Sequence, residues 1–383
     1  MSHSDVIDTI RDVLKGPVGR LRGFGVIDNM QSTAPLLGRQ RQNAMKNLPQ
    51  RSTRQARMSD VAKAAGVSSI TVSRALSAPD TVAPETRKRI ADAIEQVGYV
   101  GNNIAGSLKS RRTNLVIAVI PSITHQFLAS MIQGLSEGLR VNGYHLVLAT
   151  SGDARQDEEA VIRAFLPQRP CAVVLHNTQH TDDCVRLLKS ADIAIVETGD
   201  LAAGPLDMAV AYSNFDAAYA MTRHLIDRGY AHIAFAYRDA EFNERTDERA
   251  RGYRAALADA GRDACEAFLF PTQAGVAGGA AAVRHIVQKY PRIDAVFFTG
   301  NDIGAGAILE CARQGWPVPS RIAIAGYDDS DLAVTLSPTL TTLRIPRDGI
   351  GAAAARAIVA RLSGKAAPAR QDMGFEILAR EST

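Results

Sequence analysis

Cysteine is scarce and dispersed. The four residues Cys171, Cys184, Cys265 and Cys311 never fall in a CxxC pair. That speaks against a disulfide framework or a zinc ribbon, and for buried, reduced thiols in a cytoplasmic protein. The eight histidines form no cluster with metal-ligand spacing, so no metal is expected. No run of about 18 apolar residues is present, which excludes a transmembrane helix. The opening MSHSDVIDTIRDVLKG carries acids and no long apolar stretch, unlike a secretory signal. A GxSxG elbow, an HExxH pair, a P-loop and a GxGxxG after a strand are all missing, so no enzyme or cofactor chemistry is indicated. The glycine-rich GVAGGAAA (275–282) leads an Ala-rich helical pattern and has neither Rossmann spacing nor the P-loop lysine.

What is present is unevenly distributed. The net charge is only +4. Residues 51–112 hold 11 Lys or Arg against 5 Asp or Glu, residues 1–50 hold 7 against 4, and the remaining 271 hold 26 against 31. The basic end also carries MSDVAKAAGVSSITVSRAL, residues 58–76. Two short helical patterns meet there at Gly66-Val67-Ser68. In the first, Val61, Ala62 and Ala65 make an apolar stripe, with Ser59 and Asp60 placed to cap its start. In the second, Val72 and Leu76 share one face while Ser69, Ile70, Ser73 and Arg74 share the other. This is a helix-turn-helix layout, whose second helix fits a major groove. A basic patch on such a module is the footprint of phosphate contact.

A third helix is expected over Pro84 to Val97, with Pro at its first turn and Ile90, Ala91, Ile94 and Val97 on one face. Next comes GYVGNNIAGSLKSRRT, residues 98–113, small, polar and basic. Its apolar stripe of Ile104, Ala105 and Leu108 is too narrow to bury, so it reads as a segment that orders on a partner. Residues 1–56 read as a disordered basic extension. An arm adding non-specific DNA affinity, an unrelated extension and an over-long annotated start all fit it.

DVAKAAGVSSITVSRAL, VAPETRKRI and GYVGNNIAGSLKS together resemble the DNA-binding headpiece (57–101) and hinge (102–113) of the lactose-repressor family. The likeness extends over roughly residues 57–383. Within the family, IPSITHQF, DMAVAYSNFDAAYAMTRHLI, ERARGY, LRIPRDGIG and MGFEIL resemble the gluconate-operon repressor subgroup. The resemblance implies a homodimer on double-stranded, palindromic operator DNA. Beyond the second helix's face of Ser69, Ile70, Ser73 and Arg74, the candidate DNA contacts are Ser59, Ser68, Thr71, Ser77 and Thr86. In the hinge they are Asn102, Ala105 and Leu108, with Leu108 implied as a minor-groove wedge. Gly101 departs from the family's usual proline and loosens that junction. The tail QDMGFEILAREST has no heptads, which argues against a tetramerising coiled coil.

From Leu115 onward, short apolar runs alternate with stretches long enough for helices. The runs are LVIAVI, HLVLA, CAVVLH, IAIVE, HIAFAY, DAVFFT and IAIAGY. They are continuous rather than alternating in polarity, as in parallel strands covered on both faces. The expected architecture is an all-α helix-turn-helix headpiece plus an α/β body, 114–383, of two doubly wound parallel-sheet lobes. The resemblance implies a periplasmic-binding-protein-like fold with three crossings between lobes. It places the first lobe at about 114–212 and 345–383 and the second at about 213–344.

Ligands of open α/β sheets sit beyond the carboxyl ends of strands. Ser122, His125 and Phe127 follow the first run, and Glu197 ends the fourth. Arg249, Asn301 and Asp328 follow later ones, and Arg347 lies in IPRDG. The resemblance matches Arg249, Asn301 and Asp328 to effector-contacting positions and Ser122 to a first-lobe contact. Arg347 departs from the aromatic of many sugar-binding relatives. Two arginines and few aromatics suggest an open-chain anionic effector, a sugar acid such as gluconate or a ketogluconate. Each residue also has a plain structural use: Asn301 and Asp328 as helix caps or braces, Arg249 as a helix-surface charge, Arg347 as the partner of Asp348 or another acid. A neutral sugar, a nucleoside or purine, or a solute-binding sensor with no role at DNA are the alternative readings.

Overall fold

The computed structural model describes residues 56–99 and 113–383, apart from 124–125, 153, 202, 240–242 and 263–267. Residues 1–55 of the expected extension 1–56 lie outside the described residues. The chain divides into two compact units at Val100 and Gly101.

Among the described residues the first unit has three α-helices: α1 (Met58–Ala65), α2 (Ser69–Ser77) and α3 (Pro84–Val97). Gly66 ends α1 in a left-handed conformation, φ 65°, which an L side chain disfavours. Arg89 ties that turn to α3, its Nη2 donating to the Ala65 carbonyl at 2.6 Å. Val61, Ala62, Ala65, Val72, Ile90 and Ala93 are buried together. Three expectations need correcting. Leu76 is 49% exposed, and Ala75, three residues after Val72, packs in its place. Ala91 is exposed, because the inward positions of α3 are 90, 93, 94 and 97. Asp60 caps α1, its Oδ2 accepting from Arg57 N at 2.8 Å, whereas Ser59 faces solvent.

The described residues of the second unit form two six-stranded sheets. The chain runs β1 (Leu115–Ile120), α4 (Gln126–Arg140), β2 (His145–Thr150), α5 (Arg155–Phe165), β3 (Ala172–Leu175), α6 (Asp182–Ser190), β4 (Ala194–Glu197) and β5 (Met208–Ala211). It then crosses into α7 (Asn214–Asp227), β6 (Ile233–Arg238), α8 (Glu244–Asp259), β7 (Leu269–Thr272), α9 (Gly275–Lys289), β8 (Ala295–Phe298), α10 (Asn301–Gln314), β9 (Ala323–Tyr327), α11 (Asp331–Thr335) and β10 (Thr341–Arg344). It returns through α12 (Arg347–Leu362) and β11 (Arg370–Asp372), then crosses once more to β12 (Glu376–Leu378).

The sheet orders are β2-β1-β3-β4-β5-β11 and β7-β6-β8-β9-β10-β12. All pairings are parallel except β10 with β12. The order therefore reverses beside β1 in one sheet and beside β6 in the other. Those are the switch points where α/β sheets open a crevice. Close helix packing explains one glycine of GVAGGAAA, Gly279. A Cβ on Gly279 would lie 1.8 Å from the Ile303 carbonyl oxygen, so α9 and α10 touch backbone to backbone.

The first lobe does not hold all of 345–383. α12 packs on α4, and β11 extends the first sheet beside β5. β12, however, pairs with β10, and Ser382 bonds the Ile324 carbonyl at 2.6 Å and Thr341 N at 2.8 Å. Residues 376–383 thus close the second lobe. A three-residue strand carries too little apolar pattern to announce itself.

Candidate functional site

The first unit offers one helix face. Ser68 caps α2, its Oγ accepting from Thr71 N at 3.1 Å and sharing a 2.9 Å bond with Thr71 Oγ1. Both hydroxyls are thus used in capping. Ile70 is 71% exposed, with Ser69, Ser73 and Arg74 exposed around it. Ser77 Oγ donates to the Ser73 carbonyl at 2.9 Å. Ser59 is exposed and Thr86 half-buried. Ile70 contributes nothing to the unit's core, and the face around it is small and polar. Such a face can approach base edges closely and lay a methyl against thymine. Asn102, Ala105 and Leu108 lie outside the described residues.

The second unit holds a cleft of about 640 Å³ between its sheets. That is within the range of small-molecule sites. Arg249 enters it from α8, Asn301 from the start of α10, Asp328 from just beyond β9, and Arg347 from the start of α12. Arg249 is buried and its donors are aimed inward. Its Nε bonds Asn214 Oδ1 at 2.8 Å, Nη1 the Thr299 carbonyl at 3.3 Å, and Nη2 the Tyr212 hydroxyl at 3.3 Å. Its guanidinium carbon sits 3.9 Å above the Tyr327 ring. Tyr327 donates to Tyr212 at 3.1 Å, and burial pushes the Tyr327 phenol well above its ordinary pKa, so it stays a neutral donor. Arg249 is therefore a brace at the lobe junction and not a helix-surface charge.

Arg347 pairs with Asp328, Nε and Nη2 both reaching Oδ1, the former at 2.9 Å. Its partner is thus an acid of the second lobe rather than Asp348. Asp328 holds a positive φ of 67°, uncommon for a non-glycine residue. Such an outlier persists where surrounding structure over-determines it. Asn301 donates from Nδ2 to Ser330 Oγ. Its Oδ1 is buried and accepts no hydrogen bond. A buried amide oxygen left unpaired costs about 1–3 kcal/mol, which a donor entering the cleft would recover.

Other expected residues fall elsewhere. Ser122 is half-buried beside Pro121, which lines the cleft. His125 and the Phe127 side chain lie outside the described residues. Glu197 is a correction: its side chain is 2% exposed and is not a cleft group. Oε1 accepts from His180 Nε2 at 3.1 Å and Oε2 from Leu206 N at 2.9 Å. His180 Nδ1 lies 2.5 Å from Glu158 Oε1 on its other side. Cys184 brings a third donor atom near Glu158 and His180. Both imidazole nitrogens are nevertheless taken by carboxylates, so the group reads as an ion pair.

Burial opposes the His180 charge, but the hydrogen bonds and charges of the two carboxylates prevail and lift its pKa to about 9. Its folded pKa is raised, so its stabilising contribution is complete below about pH 6.5 and is lost as pH rises through about 9. The thermal midpoint of the full chain should therefore fall between pH 7 and 9.5. The fall should be steeper than in His180→Gln, and calorimetry across that range checks it.

Among the cleft-lining groups that sequence reasoning missed are Arg238, Arg245 and His176. Arg238 ends β6 and His176 follows β3, so the rule of looking beyond strand ends would have found both. Arg245 lies in the first turn of α8, four residues before Arg249.

Residues 222–383 match the periplasmic binding protein-like domain, and residues 57–102 match bacterial regulatory proteins of the lacI family. The HTH-type transcriptional regulator GntR of Pseudomonas aeruginosa is 34% identical over 335 residues, covering 87% of this chain and 97% of its own length. GntR of Escherichia coli is 32% identical over 321 residues, 84% of this chain and 96% of that one. A LacI-family transcriptional regulator from Silicibacter pomeroyi has a TM-score of 0.78 at 28% identity, covering 85% of this chain and 99% of that structure. The transcriptional regulator CelR in complex with cellobiose has a TM-score of 0.62 at 29% identity, covering 86% and 100%.

Proposed function

The chain belongs to the lacI family of bacterial regulatory proteins and is a DNA-binding transcriptional regulator, and from there we propose that it is a dimeric repressor whose hold on a palindromic operator is controlled by a sugar acid, gluconate or a ketogluconate. The observation that carries the ligand is the meeting of Arg249 and Arg347 with the unpaired Asn301 Oδ1 in one cleft. A carboxylate leaving water needs a cationic partner, and a guanidinium fork supplies one. Hydroxyls along the open chain find acceptors in Asn301 and Asp328. An incoming acid must share Arg347 with Asp328, which makes the site selective for ligands that also satisfy Asp328 through hydroxyls.

Ligand drawn between the lobes biases the body toward its closed form. The hinge, with Leu108 as wedge, passes that change to the operator. Two headpieces related by two-fold symmetry read the two half-sites. Ser69 and Ile70 read base edges, and Arg74 meets a base or a phosphate. Replacing Ser69 and Ile70 together should change operator preference by about 1–3 kcal/mol per affected base pair, with little change in non-specific binding. Selection from randomised DNA measures this, and an unchanged consensus sequence would remove these residues from the reading face.

Titration calorimetry of the full chain with gluconate, a ketogluconate and glucose tests the ligand class. Tighter binding of the acids supports it. Preference for glucose favours a neutral ligand, as in the cellobiose complex of CelR, and the repressor reading then stands without the acid.

A further inference from the structure

One set of contacts joins the lobes away from the chain crossovers. Glu244, the first residue of α8, belongs to the second lobe. Its carboxylate accepts from Thr178 N at 2.5 Å, Thr178 Oγ1 at 3.1 Å and Gln179 N at 2.9 Å, all in the loop after β3 of the first lobe. Arg245 reaches the same loop, its Nη1 donating to Asn177 Oδ1 at 3.0 Å and to the His176 carbonyl at 3.4 Å. Both side chains are nearly buried there. Two adjacent backbone N–H groups and a hydroxyl converging on one carboxylate make a strong, directional grip.

We propose that Glu244 and Arg245 form a clamp that fastens the second lobe to the 176–181 loop and sets how readily the cleft closes on its ligand. This rests on reading the cleft as the effector site. Three features support it. Arg245 and Arg249 are four residues apart on α8, hence on one face, so a ligand that engages Arg249 acts on the helix that carries the clamp. The receiving loop is rigidly seated: Asn177 Nδ2 donates to Glu158 Oε2 at 3.0 Å, and the same loop's His180 is held between Glu158 and Glu197. It also packs so closely on Gly199 that a Cβ there would lie 1.7 Å from the His176 carbonyl oxygen. A grip on a braced loop moves a whole lobe, whereas a grip on a loose loop would move only the loop. The clamp therefore fixes the fraction of molecules in the binding-competent form, and apparent affinity scales with that fraction.

The test uses the full chain, with Glu244→Ala and the milder Glu244→Gln. Amide hydrogen exchange is followed at Thr178 and Gln179, and gluconate affinity by calorimetry. In Glu244→Ala those two amides should exchange at least about tenfold faster than in the parent, while the sheet amides and the thermal midpoint hold. Gluconate should bind about tenfold or more weakly, with Glu244→Gln intermediate in both readouts. Unchanged exchange at Thr178 and Gln179 in Glu244→Ala overturns the clamp, as does faster exchange with unaltered gluconate affinity. If the parent itself binds no gluconate, the acid-ligand reading fails separately, and the exchange at Thr178 and Gln179 still decides the clamp.

Discussion

Arg249→Ala is expected to abolish the response to effector while leaving operator binding in place. The side chain supplies three hydrogen bonds at the lobe junction and a cation over Tyr327. Its loss removes a buried positive charge from the cleft. A bound carboxylate left without that partner should lose on the order of 3 kcal/mol, roughly a hundredfold in affinity. The body pays a smaller structural cost, because Asn214 Oδ1 keeps the Tyr212 hydroxyl at 3.0 Å and the two tyrosines keep each other. Arg249→Lys separates the two roles: it keeps charge and loses the fork, so it should bind ligand with intermediate strength. Gel shifts with and without gluconate, beside calorimetry, read both effects. Loss of operator binding in Arg249→Ala at a temperature where the body remains folded would contradict the assignment.

Arg347→Ala should weaken sugar acids roughly a hundredfold and neutral polyols far less. The ion pair with Asp328 sharpens this expectation. Removing Arg347 leaves Asp328, whose side chain is 14% exposed, as an unpaired acid beside the ligand carboxylate. Arg347→Ala/Asp328→Asn removes that repulsion and should recover the stability lost by the single variant. It should not recover acid selectivity, since the cation is still missing. Calorimetry with gluconate and a neutral polyol on the parent and both variants separates the contributions. Equal binding of gluconate by parent and Arg347→Ala would take Arg347 out of the site and leave it as a structural partner of Asp328.

The headpiece was legible because local rules act there almost alone. Gly66, the Ser68 cap and Pro84 mark helix ends by backbone chemistry, and the structure places the elements at those residues. Leu76 and Ala91 were misplaced because three short helices choose inward positions by how they cross, which spacing along one helix does not encode. In the body, seven apolar runs became strands. β7, β10, β11 and β12 went unread because polar side chains break up their three or four residues, and β5 went unread although its four residues, MAVA, are all apolar. Pro271 in β7 further disguises that strand, whose place at the sheet edge tolerates it. Asn301, Asp328 and Arg347 met in one cleft because each lies just beyond a strand end, and Arg249 reaches it from within α8. Glu197 obeys the same rule and yet faces His180, since a strand's last side chain points to either face of the sheet. The Arg347–Asp328 and Glu244–Thr178 contacts join residues 19 and 66 positions apart. Contacts of that kind depend on how the lobes meet and leave no mark in local sequence.

The most direct measurement is fluorescence anisotropy of the full chain on a palindromic DNA recovered by selection, titrated with gluconate and, separately, with glucose. The expected result is specific binding whose affinity changes about tenfold or more with gluconate and is indifferent to glucose at the same concentration. Failure to recover any preferred sequence, or an affinity that neither gluconate nor a ketogluconate alters, would contradict an acid-controlled repressor.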